Sequence, residues 1–165
     1  MTTQTTYSEH IRPPVPGVIA GNLDSAKVNS RICETAEPGI GFGLAVGQGA
    51  LSDGGAVLGG ALAHLVGVSV RDITLRGDVA LADVDHYQAP NNMAVLEEGD
   101  IWVAPGAAVV ANGDVFYNTV SGVFMAAAGS NIVGPVPGWR YKTSCGVGGA
   151  AILEATAGKK ATGNA

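Results

Sequence analysis

Glu97-Glu98-Gly99-Asp100-Ile101-Trp102-Val103, followed by Asn112-Gly113-Asp114-Val115-Phe116-Tyr117-Asn118, is the best-marked part of this chain. Each half runs from an acidic, glycine-containing turn into a short apolar strand that carries aromatic residues. Neither half holds a nucleophile beside a base, a set of metal ligands or a phosphate-cradling loop. The block therefore reads as architecture, with Trp102, Phe116 and Tyr117 as core or near-core anchors whose large aromatic area stabilises wherever it is buried.

The same pattern extends outward. Lys27-Val28-Asn29-Ser30-Arg31-Ile32 alternates with period two, which marks a half-buried strand with Lys27, Asn29 and Arg31 on one face and Val28 and Ile32 on the other. Further strands are expected at Ile40–Val46, Leu65–Asp72, Met93–Leu96, Ile101–Ala104, Val115–Tyr117, Val123–Met125, Arg140–Thr143 and Ala151–Glu154. Helix signals are weak, because Gly59-Gly60 interrupts the one Ala/Leu-rich stretch, Ala56–Val66. Many short strands joined by Gly, Pro and Asn turns predict an all-β fold, a barrel or a sandwich. Residues 1–16 read as an extended N-terminal arm, since Pro13, Pro14 and Pro16 forbid a helix and favour a polyproline-like path. Residues 17–156 form the β domain, and residues 157–165 form a small-residue polar tail with no pattern.

Composition narrows the function. The 165 residues suit one domain with a real core. Charged residues are 14% of the chain, against roughly 25% in an average protein. So few charges suggest that some surface is covered by assembly. The nine basic residues are scattered within a net charge of −5, which argues against nucleic-acid binding. Residues 1–10 lack the basic and apolar regions of a signal peptide. The uncharged run Gly54–Val70 is interrupted by glycines and His64, so it reads as buried strands joined by Gly turns and not as a membrane span. The expectation is a soluble protein made in a cytoplasm, with no membrane partner. Cys33 and Cys145 match no zinc or redox spacing and read as buried free thiols, although pairing between them stays open.

Candidate chemistries each meet an obstacle. Gly39-Ile40-Gly41-Phe42-Gly43 lacks the dinucleotide-loop spacing and a following helix. Cys145 has no histidine marked as its partner. Asp78, Asp83, Asp85 and His86 are the densest polar group, but no Gly-centred loop arranges them around a cation, and a solvated loop is the plainer reading. Glu97, Glu98 and Asp100 around Gly99 read as an exposed, charged hairpin tip and not as an acid–base pair. No cofactor, metal or catalytic residue is proposed by the sequence.

Taken in order, Leu96–Val103, Gly113–Tyr117, Arg140–Ser144 and Gly149–Glu154, preceded by Pro16–Gly21, Val28–Arg31 and Ile40–Val46, resemble the tailed-bacteriophage structural cement proteins. The resemblance spans about residues 15–155. It implies a jelly-roll-like β core and a capsid decoration protein on the outer surface of an icosahedral head. It also implies binding at junctions of the major capsid protein, oligomerisation there, and resistance to the pressure of packaged DNA. A homodimer is favoured over a trimer, synthesis is expected in the host cytoplasm, and no catalytic residue is carried over. On this reading Arg12, Pro13, Pro14 and Pro16 of the arm make inter-subunit contacts. The Ala/Gly-rich stretch Ala50–Ala63 departs from the pattern. A carbohydrate- or cell-surface-binding β module is the alternative.

Overall fold

The computed structural model describes residues 15–21, 23–51, 54–72 and 86–156. In chain order the strands are β1 (Lys27–Cys33), β2 (Ile40–Gly41), β3 (Ala45–Gln48), β4 (Gly55–Leu58), β5 (Leu65–Ser69) and β6 (His86–Tyr87). They continue with β7 (Asn92–Val103), β8 (Phe116–Asn118), β9 (Phe124–Met125), β10 (Ile132–Val133), β11 (Arg140–Tyr141) and β12 (Ala151–Ala155). The only helical pieces among the described residues are two 3-10 turns, Leu23–Ser25 and Leu62–His64. The expected all-β class is the observed one. Gly54–Val70 folds as expected, as strand, turn and strand.

β1, β4, β3, β5 and β7 are hydrogen-bonded in that order, and β7 pairs back onto β1. Five strands therefore close into a barrel, and closure leaves those strands no free edge. β7 is long enough to leave the barrel. Its second half pairs with β12, which pairs with β11. A separate three-stranded sheet, β10-β8-β9, packs over this junction.

Two apolar clusters follow from this layout. One fills the barrel around Cys33, Val46, Ala56, Met93 and Val95, with Ile40, Phe42 and Tyr87. The other lies between the barrel wall, the β7–β12–β11 sheet and the three-stranded sheet. It holds Val68, Leu96, Ile101, Leu153, Tyr117, Phe124, Trp139 and Tyr141. Burying each large side chain here contributes roughly 1.5–3 kcal/mol. The three buried tyrosines also act as pins. The Tyr87 hydroxyl donates to the Val70 carbonyl at 2.7 Å, Tyr117 to Gly60 at 3.0 Å and Tyr141 to Met125 at 3.0 Å. Each bond ties a strand to a segment distant in sequence while satisfying a buried hydroxyl.

The acidic block is not a hairpin tip. The two strands expected around it are one strand, β7, running through Gly99 without a turn. Lys27 pairs with Glu98 and Val28 pairs with Leu96, so Glu97 is the extra residue of a β-bulge. Gly99 follows at φ 124, where a side chain would be strained and would press on Ala26. The bulge also changes which positions face the core. Leu96 faces the larger cluster before it, and Ile101 and Val103 face it afterwards. A one-residue slip of this kind moves every later side chain to the other face.

The faces of β1 are likewise reversed from the simplest expectation. Val28 is 40% exposed, whereas Arg31 shares the face of Met93 and Val95. The reason is electrostatic. Arg31 donates to Gln48 at 2.9 Å and to Glu97 at 3.2 Å, so the barrel mouth supplies polar partners that an apolar side chain could not use.

Candidate interaction surfaces

The first surface is the foot of the arm. The Gly17 amide donates to the Trp102 carbonyl at 2.7 Å, and the Trp102 amide donates to Val18 at 2.9 Å. The Ala20 amide donates to Asp100 at 2.8 Å, and Ile19 bridges Ile101 in antiparallel register. Residues 17–20, which follow the expected arm, thus run antiparallel along the edge of β7 opposite β12. Gly17, at φ 85, is wedged against Phe42 and the Arg71 amide, which donates to its carbonyl at 2.7 Å. A side chain at Gly43 would meet Pro16, so Pro16 is held in the same contact. Arg12, Pro13 and Pro14 lie outside the described residues.

The named aromatics separate by strand parity. Tyr117 is fully buried, and its burial pushes the phenol up to about 12. Trp102 is half-buried on the face opposite Ile101 and Val103, beside the register position of Ile152. Phe116 is half-buried and packs where Gly134 leaves room for it.

The second surface is ionic. A shallow cleft of about 360 Å³ is lined by Ser25, Glu98, Asp100, Lys142, Glu154 and Thr156. Lys142 donates to Asp100 at 2.7 Å, and Arg140 pairs with Glu154. The hydrogen bond and charge of Asp100 hold the Lys142 ammonium above its ordinary range. Asp100 and Glu154 are thus matched by Lys142 and Arg140 and form a salt-bridged outer sheet face. Among the described residues no group of three or more His, Cys, Asp or Glu side chains is placed to hold a metal ion. Of the polar group anticipated around His86, Asp78, Asp83 and Asp85 lie outside the described residues. Cys33 is a free, buried thiol, and burial pushes its pKa up. Cys145 is free and half-buried.

At the barrel mouth Glu97 binds Lys27 at 3.1 Å and Arg31 at 3.2 Å. Burial works to raise its pKa, but hydrogen bonds from Asn29, Lys27 and Arg31 outweigh burial and hold the carboxyl below its usual range. A carboxylate with a depressed folded pKa adds stability above its unfolded pKa of about 4.3, and that stability disappears as pH falls through the folded value. Lys27 is largely exposed, so its bond counts for little, and the Arg31 contact carries most of the effect. Glu97→Gln is expected to cost about 1 kcal/mol at pH 7. The gap between variant and wild type should close below about pH 4 in urea titrations at stepped pH. A gap that persists at pH 3 would show that the carboxylate charge is not the cause.

The third surface has no charge at all. No Asp, Glu, Lys, Arg or His occurs in residues 101–113, 115–139 or 143–153. Three loops from these runs lie side by side. Val109 and Cys145 exchange backbone hydrogen bonds at 3.0 and 3.1 Å, and the Gly106 amide donates to Phe124 at 2.9 Å. Loops 104–113, 125–131 and 144–149 thereby make one face. On it Val110 is 67% exposed and Val147 is 79% exposed, among exposed alanines and glycines. Sequence reasoning registered the low charge overall but not this concentration, although the 25-residue gap between Asp114 and Arg140 is visible in the chain.

Comparison with known proteins agrees with this all-β fold. A solved structure entitled "The capsid of Myoviridae Phage XM1" contains a chain of similar fold, at a TM-score of 0.60 and 13% identity. The alignment covers 96% of this chain and 99% of that one. No curated protein sequence is similar enough to count as a match. The model of the family described as "Structural cement protein (E217 gp24/Pam3 gp6)" matches residues 3–156, nearly the whole length, and this chain therefore belongs to the phage structural cement proteins.

Proposed function

We propose that this protein is a capsid cement: a homo-oligomer, a dimer in preference to a trimer, bound to the outer surface of an icosahedral phage head. It sits at junctions between major capsid protein subunits and holds the shell against the pressure of packaged DNA. Family membership over residues 3–156 carries the capsid role. The closed barrel supports the mechanical part. A body without free barrel edges, cross-pinned by three tyrosines, transmits load with little internal yielding. Many copies, each making a modest contact, give a strong clamp through multivalency.

The arm supports the reading of a reach across subunits. Its foot is fixed to β7 through Gly17, Val18 and Ala20, and Pro16 lies beside Gly43. Arg12, Pro13, Pro14 and Pro16 are the residues assigned to inter-subunit contact. Proline lowers the conformational entropy lost when such a segment docks.

Heads lacking this protein, supplied with the purified chain, should take up a fixed number of copies and then survive osmotic shock and heating that burst bare heads. Heads that take up none, or burst equally with and without it, would rule the reading out. Removing residues 1–14 should weaken uptake by roughly tenfold or more, as expected when one of several linked contacts is lost. Thermal unfolding of the free protein should not change, which separates lost contact from lost folding.

A further inference from the structure

We infer that the charge-free face built by loops 104–113, 125–131 and 144–149 is where two copies of this chain meet. This deepens the homo-oligomer part of the proposal above and rests on it.

Charge selects the occupant. The chain carries a net charge of −5, and a face that meets its own copy brings like charges together unless it has none. The barrel mouth displays Glu97 beside Lys27 and Arg31, and the outer sheet face displays Asp100 and Glu154 beside their cations. Against a second copy either surface would bury ion pairs at a cost in desolvation. The loop face carries no such burden, because its residues include no ionisable side chain apart from the Cys145 thiol.

Size agrees. The three loops present about twenty residues, the number on each side of a standard interface. Val110 and Val147 project from a surface otherwise made of small residues and open glycine positions. Gly146, next to Val147, has no atom within 4 Å of where a Cβ would stand, and its backbone does not require glycine. Its small size therefore answers no packing need within the chain and leaves room for the approach of a neighbour. Exposed valines on an uncharged face gain from burial, and nothing charged must be desolvated to bury them.

The test is independent of the shell and uses the full-length chain alone in analytical ultracentrifugation, at about 0.1 M and about 1 M salt, since the higher value screens charges beyond roughly 3 Å. Wild type should be dimeric at both. Val110→Asp and Val147→Glu should each weaken the dimer by roughly a hundredfold, as expected from burying an unpaired carboxylate. Both should keep the wild-type circular dichroism and melting temperature, because both sites are exposed. Val28→Glu, on the barrel wall, should leave the dimer intact. A wild-type monomer would overturn the homo-oligomer reading itself. A dimer that resists both loop variants, or dissociates in salt, would overturn only the choice of face. Loop variants that stay dimeric but lose binding to heads would also overturn it, by assigning the face to the shell.

Discussion

Gly67→Ala is expected to destabilise the protein by about 3 kcal/mol, at the upper end of the cost of overpacking. In a chain of this length that corresponds to a fall of roughly 10 °C in Tm. Gly67 lies in β5, which is hydrogen-bonded to β3 and β7. A Cβ there would strike the Leu96 carbonyl oxygen and would come within 2.8 Å of Val95 Cγ1. The obstacle is largely backbone, and it belongs to the strand that closes the barrel. Relief therefore requires β5 and β7 to separate, which threatens the ring of hydrogen bonds. Gly60 is the informative comparison. Its φ of +87 strains any side chain, but the nearest atom to a Cβ lies 3.7 Å away. Gly60→Ala should cost about 1 kcal/mol, the price of the backbone conformation alone. Urea denaturation of the two variants separates space from conformation, and equal losses would refute the argument from close strand approach.

The contrast explains what the amino-acid order reveals and what it conceals. Short strands, Gly turns and the all-β class are local properties, so Ala151–Glu154 and Ile101–Val103 were legible from alternation alone. The acidic block was misread because its neighbours in sequence are not its neighbours in space. Glu97-Glu98-Gly99-Asp100 has the composition of a turn, but Lys27 and Arg31 from β1 and Lys142 from the segment after β11 neutralise Glu97 and Asp100. With those partners the carboxylates can remain within a strand. The β1 faces failed for the same reason, since the Gln48 and Glu97 that receive Arg31 lie far along the chain.

The interaction surfaces were only partly legible. The arm was marked by its prolines, but its docking onto β7 uses backbone groups of Gly17, Val18 and Ala20, whose side chains announce nothing. The charge-free face is the reverse case. Its composition is plain in residues 115–139, but only the Val109–Cys145 pairing shows that it joins loops 104–113 and 144–149 into one surface. The tyrosine pins were hidden because their acceptors are main-chain carbonyls, which every residue offers.

Tyr117 carries the second large effect. It is fully buried: its ring lies in the cluster shared by Val68 and Leu96 of the barrel and Phe124 of the small sheet, and its hydroxyl donates to the Gly60 carbonyl. Tyr117→Ala should cost about 4 kcal/mol, as expected for removing a large aromatic side chain from a packed core. Tyr117→Phe keeps the ring and gives up one hydrogen bond, so it should cost only about 1 kcal/mol. The difference has a structural consequence. β8 carries Tyr117 and pairs with both β9 and β10, so the alanine variant removes the anchor of the whole three-stranded sheet. β9 in turn receives the Gly106 amide at Phe124 and the Tyr141 hydroxyl at Met125, and through them it positions the uncharged loops. Hydrogen exchange on Tyr117→Ala should therefore show protection lost first in residues 115–139 and in loop 104–113, while β1, β3 and β5 keep theirs. Self-association should weaken in the same variant and survive in Tyr117→Phe. If protection falls evenly across barrel and small sheet, the two layers unfold as one unit, and Tyr117 does not act as the pin between separable parts.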